Sequence, residues 1–493
     1  MDQNITILQA FHWYTTNEGQ WWNVSATLAP ELVEKGITHL YLPPAYKSAW
    51  GENEPDYSVY DLYDLGEFDQ KGTIRTKYGT KDEYLNCIKT FQENNICVIA
   101  DVVLNHKQGG DEKESFLARE VNIENRNDFV AEEITIESFT KFTFPGRNGK
   151  YSNFVWDHKT FSGVDEEVDN EKFIYSIQNE YGDKWQDVLE EEFGNYDYLI
   201  GADIEYRNEN VRDEVIKWGK WFLDFTKADG FRMDAVKHIS PSFIKQFIAE
   251  IKEYCNKPFF VFSEYWQANV EKLLQYLEVT ESITQLLDVP LHYKFYEGSK
   301  QGNEFDLSAI FEGTLTQHHP EMSISFVDNH DTQPLQALES TVEFWFKPLA
   351  YALILLRQAG IPLVFYPCMY AANYSDEKDG TQYEINLEKV KEMDALLYCR
   401  KEVAYGDQTD YFDHPNVIGW VRHGVDEKEN SGCAIVLSNG ENGFKEMNVG
   451  EHNAGKTFID CTQNNEAEII IDDKGIGNFV VNKRSVSVWI LKI

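Results

Sequence analysis

The segment GFRMDAVKH, residues 230–238, decides how the rest of the chain is interpreted. Apolar Phe231 and Met233 alternate with charged Arg232 and Asp234, and a period of two is typical of a β-strand whose successive side chains point to opposite faces. Arg232 and Asp234 therefore share one face. A carboxylate beside a permanently charged guanidinium is expected to stay ionised, which suits a nucleophile or a charge stabiliser. A buried ion pair without chemistry fits the same segment equally well.

Three further segments end in the same way, with polar and mostly ionisable groups after an apolar run. They are ICVIADVVLNH (96–106), FFVFSEYW (259–266) and SISFVDNHD (323–331). Near-continuous apolar strands are typical of a parallel sheet that is buried on both faces. A (β/α)₈ barrel builds its active site from ionisable groups at the C-terminal ends of such strands. Because a buried strand has no structural need for a charge at its end, the four segments together predict one shared site.

Eight strand-like runs alternate with amphipathic helical patterns such as residues 211–227. Alternation of strand and helix predicts a parallel sheet, and eight repeats predict an α/β fold of the closed (β/α)₈ TIM barrel type. The predicted strands are residues 5–11, 38–42, 96–103, 231–234, 259–263, 282–287, 323–327 and 363–366.

The spacing of the strands breaks once, between the third and the fourth. About a hundred residues lie there, far more than a short connection needs, and they are polar, acidic and rich in aromatic residues. They predict an inserted domain, residues 107–207, over the C-terminal mouth of a barrel made of residues 1–106 and 208–396. From about Leu397, short alternating strands with turn residues predict a C-terminal antiparallel β-sandwich, residues 397–493.

Composition restricts the partners and the compartment. A net charge of −38 disfavours nucleic acid and anionic membranes, and no apolar stretch is long enough for a membrane span. Seven cysteines without a C-x-x-C pair disfavour zinc and a disulfide framework. The first residues show no signal peptide, which predicts a cytoplasmic protein, although a secreted protein without its leader would look the same.

The strand ends supply three carboxylates with different environments. Glu264 follows Phe260 and Phe262 on one strand face, and apolar surroundings should raise its pKa, which suits a general acid. The pKa of Asp234 should instead be lowered by Arg232. Two carboxyl groups whose pKa values are pushed apart are the signature of a glycosidase. A third carboxylate, Asp331, could stabilise an oxocarbenium-like transition state; for Glu264 alone, a strand-end salt bridge is the alternative.

Histidines and oxygen ligands accompany these acids. His106 and His330 end the third and seventh predicted strands beside carboxylates. Oxygen donors from separate segments, as in Asn105, Asp197 and Asp203, suit a hard cation such as Ca²⁺. A solvated acidic face explains the same residues, so spacing alone does not assign the metal.

The segments DVVLNH, GFRMDAVKH, FSEYW and FVDNHD, in this order, resemble the four signature segments of the α-amylase family, glycoside hydrolase family 13. Residues 57–80 and 288–296 resemble the bacterial liquefying and cytoplasmic subfamily, and the resemblance covers nearly the whole chain. It implies an endo-acting, retaining hydrolase of α-1,4-glucosidic bonds in starch, glycogen and maltodextrins. It also implies that Asp234 is the nucleophile, Glu264 the general acid/base and Asp331 the transition-state stabiliser.

The same resemblance implies contacts to the α-glucan substrate, in which Tyr57 stacks on the sugar and Lys237, His238 and Trp266 face the leaving group. It also implies that Asp101 supports Arg232. The implied substrate-binding residues are Tyr57, Asp101, His106, Arg232, Lys237, His238, Trp266 and His330. It further implies one structural Ca²⁺ that links the insertion to the barrel, with the ligands Asn105, Asp197, Asp203 and the His238 carbonyl. Acids that hold a Ca–Na–Ca cluster in secreted relatives are replaced here, so that cluster is not expected; the positions are Ser162, Gln186, Glu205 and Arg207.

Two other functions remain open from the sequence. One is an α-1,6-glucosidase or transglycosylase of the same fold, against which the Lys237-His238 pair argues. The other is a non-catalytic glucan-binding protein, against which the presence of all three carboxylates argues. The expected molecule is a monomer. The sequence Tyr366-Pro367-Cys368 departs from the subfamily pattern after the eighth strand, which affects the expected loop shape there.

Overall fold

A computed structural model describes residues 4–15, 18–168, 171–182 and 184–493. Residues 1–3 and 16–17 of the predicted barrel, and residues 169–170 and 183 of the predicted insertion, lie outside the described residues. Eight parallel strands close into a barrel in which the first strand pairs with both the second and the last, so the predicted TIM barrel is confirmed. In chain order, the barrel strands are Ile7–Gln9, His39–Leu42, Cys97–Val102, Gly230–Met233, Phe260–Ser263, Gln285–Leu287, Ser323–Phe326 and Ile361–Phe365.

The helices cover the barrel with their apolar faces. The helix Lys81–Glu93 begins with a capping box, in which Thr80 and Glu83 satisfy each other's backbone N–H groups. The α-helices are Trp21–Thr27, Ala29–Glu34, Lys81–Glu93, Glu209–Thr226, Pro241–Cys255, Val270–Val279, Val289–Gln301, Leu315–His318, Lys347–Leu356, Tyr366–Tyr370 and Met393–Glu402. Short 3₁₀ helices are His158–Thr160, Val236–His238, Gly302–Glu304, Leu307–Ala309, Pro320–Met322, Phe344–Phe346 and Glu451–Asn453.

The segment between the third and fourth barrel strands forms a six-stranded antiparallel sheet of its own. Its strand His106–Lys107 follows the third barrel strand almost directly and pairs with Ala202–Ile204, so both ends of the segment lie at the barrel mouth. In spatial order, the strands are His106–Lys107, Ala202–Ile204, Phe161–Val168, Glu171–Ile177, Glu112–Glu120 and Ile134–Lys141.

Two β-hairpins lie in the loops at the barrel mouth. The strand Lys47–Ser48 pairs with Val59–Asp61 after the second barrel strand, and Ala372–Lys378 pairs with Thr381–Leu387 after the eighth. The helix Tyr366–Tyr370 occupies the segment where the sequence departs from the subfamily pattern.

The C-terminal segment forms two antiparallel sheets that share a core containing Val436, Phe479 and Trp489, which confirms the predicted β-sandwich. The helix Met393–Glu402 crosses residue 397, so the strands begin later than the sequence suggested. The larger sheet has the spatial order Gln408–Tyr411, Val417–Arg422, Cys433–Ser438, Ser485–Leu491, Thr457–Asp460 and Glu468–Ile470, and the smaller pairs Gly443–Asn448 with Ile476–Val481.

Strand register brings the polar strand ends together. Arg232 lies directly opposite Asp101 on one neighbouring strand and Phe262 on the other. Asp234 and Glu264 each follow the last residue of their strand, at the same edge of the barrel. In the described ranges, no helix is both long and apolar enough to cross a membrane.

Candidate active site

The guanidinium of Arg232 is the centre of the site. It is 1 % exposed and donates from Nη1 to Asp101 Oδ1 at 2.8 Å and to Asp234 Oδ1 at 2.5 Å, and from Nη2 to Glu264 Oε2 at 2.6 Å. A planar guanidinium can hold several carboxylates at fixed angles, which a lysine ammonium cannot do. The arrangement fixes the positions of three carboxyl groups that come from three different barrel strands.

The chain turns sharply between the two acids. Ala235 has a φ of +50°, in the left-handed region that non-glycine residues rarely adopt. This conformation lets the Ala235 N–H donate to Glu264 Oε2 at 3.2 Å, and Val236 N–H donates to the Glu264 carbonyl at 3.1 Å. Strained backbone of this kind is often found at functional sites, and here it ties the segment after Asp234 to Glu264.

Asp101 is itself held by two tyrosines. Its Oδ2 accepts hydrogen bonds from the hydroxyl groups of Tyr41 and Tyr57, each at 2.6 Å. Asp101 therefore joins Tyr57, which is on the loop after the second strand, to Arg232. The sequence-based reasoning missed Tyr41, although its position at period two on the second strand, His39–Leu42, was a usable signal.

Burial dominates the ionisation of the acids. It raises the pKa of Glu264, as predicted, and a nearby Asp331 adds to the rise. The prediction of a lowered pKa for Asp234 was wrong. Arg232 does act to lower it, but burial raises that pKa well above its ordinary value, and Glu264 and Asp101 reinforce the rise. One guanidinium cannot balance all these buried carboxylates, so they titrate as a coupled set.

Asp331 differs from the other two acids because its side chain is 22 % exposed. Burial still raises its pKa to about 7, while Arg232 opposes this. Its backbone N–H donates to Asn329 Oδ1 at 2.9 Å, which fixes the loop after the seventh strand. Asp331 therefore comes from the seventh strand, three strands away from the fourth in the barrel.

The two strand-end histidines are buried and neutral. Burial lowers the pKa of His106 to about 4 and that of His330 well below its usual value. His106 Nε2 donates to the Tyr57 carbonyl at 3.0 Å. The Gln9 amide donates to His330 Nδ1 at 2.9 Å, which leaves the proton of His330 on Nε2, 3.4 Å from Asp331 Oδ2.

Lys237, His238 and Trp266 form a second group beside the acids. The Lys237 ammonium donates to the Trp266 carbonyl at 3.1 Å and lies 4.8 Å from the centre of the Tyr196 ring. His238 Nδ1 donates to the Tyr196 carbonyl at 2.7 Å, and burial lowers the pKa of His238 to about 3. These contacts connect the fourth and fifth strand ends to the inserted segment.

The three oxygen donors predicted for a metal lie on neighbouring segments, since the Ile204 N–H, next to Asp203, donates to the Asn105 carbonyl at 3.0 Å. Asp197 and Asp203 are 0 % and 1 % exposed and contact each other, and burial raises the pKa of both, to about 7 for Asp197. Asn105 Oδ1 is buried without a hydrogen-bond partner in the described part of the chain. Within the same ranges, no three His, Cys, Asp or Glu side chains form a metal-binding group. Two contacting carboxyls and an unpaired amide oxygen nonetheless suit a hard cation.

The four positions at which this chain lacks the cluster acids of secreted relatives lie around Asp197 and Asp203. Ser162 Oγ donates to Asp203, and the Gln186 backbone donates to Asp197 Oδ2 at 3.0 Å. The Arg207 guanidinium pairs with Glu205 at 2.8 and 2.5 Å. Hydrogen-bond donors and a positive charge therefore occupy the space around the two acids.

Two residues of the first strand and its loop also border the site. Gln9 orients His330, as described above, and Trp13 lies with its ring nearly parallel to that of Tyr57, at 5.7 Å and 10°. The sequence-based reasoning missed both, because it followed carboxylates at the strand ends and the first strand ends without one.

Comparison with known proteins gives a family and several relatives. The model of the α-amylase catalytic domain matches residues 31–395, and that of the α-amylase C-terminal domain matches residues 434–490. The chain is 46 % identical to the cytoplasmic α-amylase of Escherichia coli strain K12, with 99 % of both chains covered. It is 44 % identical to an α-amylase of Bacillus licheniformis, covering 99 % of this chain and 93 % of that protein.

A solved structure supports the fold independently. The α-amylase of Geobacillus thermoleovorans, determined in complex with acarbose, superposes with a TM-score of 0.65 at 17 % identity. The match covers 99 % of this chain and 98 % of that chain.

Proposed function

Because this chain belongs to the α-amylase family, we propose that it is an endo-acting hydrolase of α-1,4-glucosidic bonds in starch, glycogen and maltodextrins. The observation that carries this proposal is the contact of one buried guanidinium, that of Arg232, with both Asp234 and Glu264. This contact presents two carboxyl groups side by side at the mouth of the barrel, where Asp331 joins them.

The spacing of the two acids supports a retaining mechanism. Asp234 and Glu264 bind neighbouring nitrogens, Nη1 and Nη2, of the same guanidinium. Retaining glycosidases hold their carboxyls about 5–5.5 Å apart, whereas inverting enzymes need about 6.5–9.5 Å to admit a water molecule. Two carboxyl groups held on one guanidinium favour the shorter class.

In the first step, an Asp234 oxygen attacks the anomeric carbon while the bond from that carbon to the glycosidic oxygen breaks. The carboxylic proton of Glu264 moves to the departing oxygen. In the second step, Glu264 takes a proton from water, the water oxygen attacks the anomeric carbon, and Asp234 leaves as a carboxylate. The raised pKa of Glu264 favours the protonated carboxyl that the first step requires.

The neighbouring groups suit sugar binding on both sides of the scissile bond. Tyr57 offers a ring for stacking, and its hydroxyl is fixed by Asp101. His106 and His330 are neutral and can hydrogen-bond to sugar hydroxyls, while Asp331 can stabilise the positive charge of the transition state. We assign Lys237, His238 and Trp266 to the leaving-group side, where the ammonium is fixed on the Trp266 carbonyl.

A single Ca²⁺ is part of the proposal. Asn105 Oδ1, Asp197, Asp203 and the His238 carbonyl would hold it, and the buried, unpaired Asn105 oxygen supports this set. Bound there, the ion would offset the charges of the two buried carboxylates and clamp the insertion to the barrel. The Arg207–Glu205 pair and the donors Ser162 and Gln186 argue against further cations alongside it.

We further propose a monomeric, cytoplasmic enzyme with the division into a barrel (1–106 and 208–396), an inserted domain (107–207) and a C-terminal domain (397–493). The name of the E. coli relative supports the cytoplasmic location. The net charge of −38 supports a neutral glucan as partner and argues against nucleic acid and membrane surfaces.

Product analysis tests the activity directly. Starch and defined maltooligosaccharides are incubated with the enzyme, and the products are separated by chromatography. A ladder of shorter maltooligosaccharides is expected. Dominant transfer products, or cleavage of isomaltose, would favour a transglycosylase or an α-1,6-glucosidase. Binding of starch without release of reducing ends would favour a non-catalytic glucan-binding protein.

A further inference from the structure

His292 is a buried histidine outside the set of residues that the sequence assigned to the site. It is 0 % exposed and belongs to the helix Val289–Gln301, which follows the sixth barrel strand. Burial lowers the pKa of His292, so its ring is neutral near neutral pH. The beginning of the helix is fixed, because Asp288 accepts the Leu291 N–H at 3.1 Å. His292 therefore offers one ring nitrogen as a donor and the other as an acceptor from a fixed position.

Both ring nitrogens of His292 bind groups that flank the segment carrying Asp331. The Nδ1–H group donates to the Val327 carbonyl at 2.7 Å, directly after the seventh barrel strand. Nε2 accepts from the Ser340 hydroxyl at 2.8 Å, in the loop that follows this strand. Because a carbonyl can only accept, these bonds fix the tautomer of the neutral ring. Phe326 stacks on the same ring at 5.1 Å and 5°.

The two partners of His292 hold the turn that contains Asp331 from both sides. Val327 precedes Asp331 by four residues. Ser340 reaches the other side, since its N–H donates to the carbonyl of Thr332, the residue after Asp331, at 3.0 Å. Within the turn, Asn329 Oδ1 accepts the N–H groups of Asp331 and Thr332 at 2.9 Å each. One imidazole ring thus bridges the start and the end of the segment that carries the third acid.

A separate contact attaches the same loop to the strand end without His292. Asp328 Oδ1 accepts the Val342 N–H at 3.0 Å, and Asp328 Oδ2 pairs with the Lys347 ammonium at 2.7 Å. The loop therefore stays anchored through Asp328 when the bonds of His292 are removed. What His292 adds is a constraint on the short segment from Val327 to Thr332.

We propose that His292 is a positioning residue for Asp331, and that it acts through the Val327 carbonyl and the Ser340 hydroxyl. This inference rests on the proposed hydrolysis of α-glucans, in which Asp331 stabilises the positive charge of the transition state. Such stabilisation requires a carboxylate that is already in place when the charge develops. Loss of the two bonds should therefore lower kcat and change KM little, because the stacking surface of Tyr57 remains.

Replacement by phenylalanine tests this role, because it keeps a ring against Phe326 and removes both hydrogen bonds. In His292→Phe, kcat on maltoheptaose should fall about tenfold, which corresponds to about 1.36 kcal/mol on the activation barrier, while KM stays within about twofold of the parent. Ser340→Ala removes only the bond to Nε2 and should lower kcat about threefold. Thermal unfolding shows which variants are folded.

An unchanged kcat would overturn the proposal. The decisive result is a folded His292→Phe enzyme whose kcat lies within about twofold of the parent. If His292→Phe does not fold, a parental kcat in Ser340→Ala overturns the proposal in its place.

A double-mutant cycle with Asp331→Asn separates positioning from a general structural effect. A positioning residue acts only through the residue that it positions, so His292→Phe should lower kcat no further in the Asp331→Asn background. Long incubations with maltoheptaose measure the slow rates of that background. The same fold loss in both backgrounds would refute the positioning role.

His39→Phe is the matched control. His39 also contacts a hydroxyl, that of Thr38, at 2.9 Å, and its ring also packs on a phenylalanine, Phe260, at 5.2 Å. It is the first residue of the second barrel strand, at the end of the barrel away from the acids. Its replacement should leave kcat unchanged, and a loss as large as that of His292→Phe would overturn the assignment to Asp331.

The parent enzyme separates the proposed function from the role of His292. If it releases no reducing sugar from maltoheptaose, the proposed hydrolase function fails. If it cleaves maltoheptaose and His292→Phe has the same kcat, only the inference about His292 fails.

Discussion

Replacing Arg232 by lysine gives the most informative test of the site's construction. The guanidinium makes hydrogen bonds of 2.8, 2.5 and 2.6 Å to Asp101, Asp234 and Glu264. A lysine ammonium keeps the charge but lacks the rigid fork, so it loses at least one of these contacts.

The structure sets the size of the expected effect. A hydrogen bond to a charged group contributes about 1.5–3 kcal/mol. If the lost bond matters fully in the transition state, kcat/KM falls roughly 10- to 150-fold, since about 1.36 kcal/mol corresponds to a tenfold change in rate. Initial rates on maltoheptaose measure this loss, and thermal unfolding shows whether the variant is folded.

Arg357→Lys is the matched control. Arg357 also binds a carboxylate through both Nη atoms, at 2.8 Å each, but its partner Asp410 is 41 % exposed and lies in the C-terminal sheet. The activity of Arg357→Lys should stay within about twofold of the parent, because Arg357 precedes the eighth barrel strand, at the end of the barrel away from Asp234 and Glu264. A folded Arg232→Lys enzyme with activity within about threefold of the parent would refute the reasoning that the fork positions the acids.

Other consequences concern stability and binding. Removing Ca²⁺ with EDTA should lower the melting temperature, because a ligand that binds only the folded state stabilises it. The pKa of the Asp331 carboxyl is raised to about 7, so this carboxyl holds its proton more tightly in the folded protein than in the unfolded chain. Its contribution to the free energy of unfolding should therefore be fully present below about pH 4 and be lost as the pH rises towards 7. Denaturant titrations of the parent and of Asp331→Asn between these pH values measure that difference. Tyr41→Phe should lower kcat/KM several-fold, since Asp101 loses one of its two tyrosine donors. Tyr254→Phe is the control: Tyr254 is exposed and also donates to an aspartate, and its replacement should leave kcat/KM unchanged.

Each of these expectations has a contradicting result. An unchanged melting temperature in EDTA would argue against the calcium site. Parallel pH dependences for the parent and Asp331→Asn would show that burial does not shift the pKa of this carboxyl. Equal activities for Tyr41→Phe and the parent would show that Asp101 needs only one tyrosine donor.

The sequence predicted the barrel and the acids because both follow from local patterns. Apolar runs that end in Asp234, Glu264 and Asp331 indicate parallel strands and a shared mouth, and no long-range information is needed for that inference. Strand register is a long-range property: the strand patterns alone did not show that Arg232 lies opposite Asp101, a pairing that the family resemblance implied and the barrel register explains. The contact of Trp13 with Tyr57 was beyond prediction for the same reason.

The pKa of Asp234 shows a second limit. The neighbouring Arg232 is visible in the sequence and lowers the pKa of an adjacent acid. The opposing effect is burial, reinforced by Glu264 and Asp101, which reach Asp234 only in the fold. Because burial outweighs a single guanidinium, an argument from adjacent residues gave the wrong direction.

The central claim is that Asp234 forms a covalent bond to the sugar. A fluorinated glycosyl fluoride slows the second step more than the first, so the intermediate should accumulate in the parent enzyme. Proteolysis followed by mass spectrometry should then locate the added sugar on the peptide that contains Asp234, and Asp234→Asn should carry none. A sugar attached to another residue, or no adduct during demonstrable turnover, would contradict the claim.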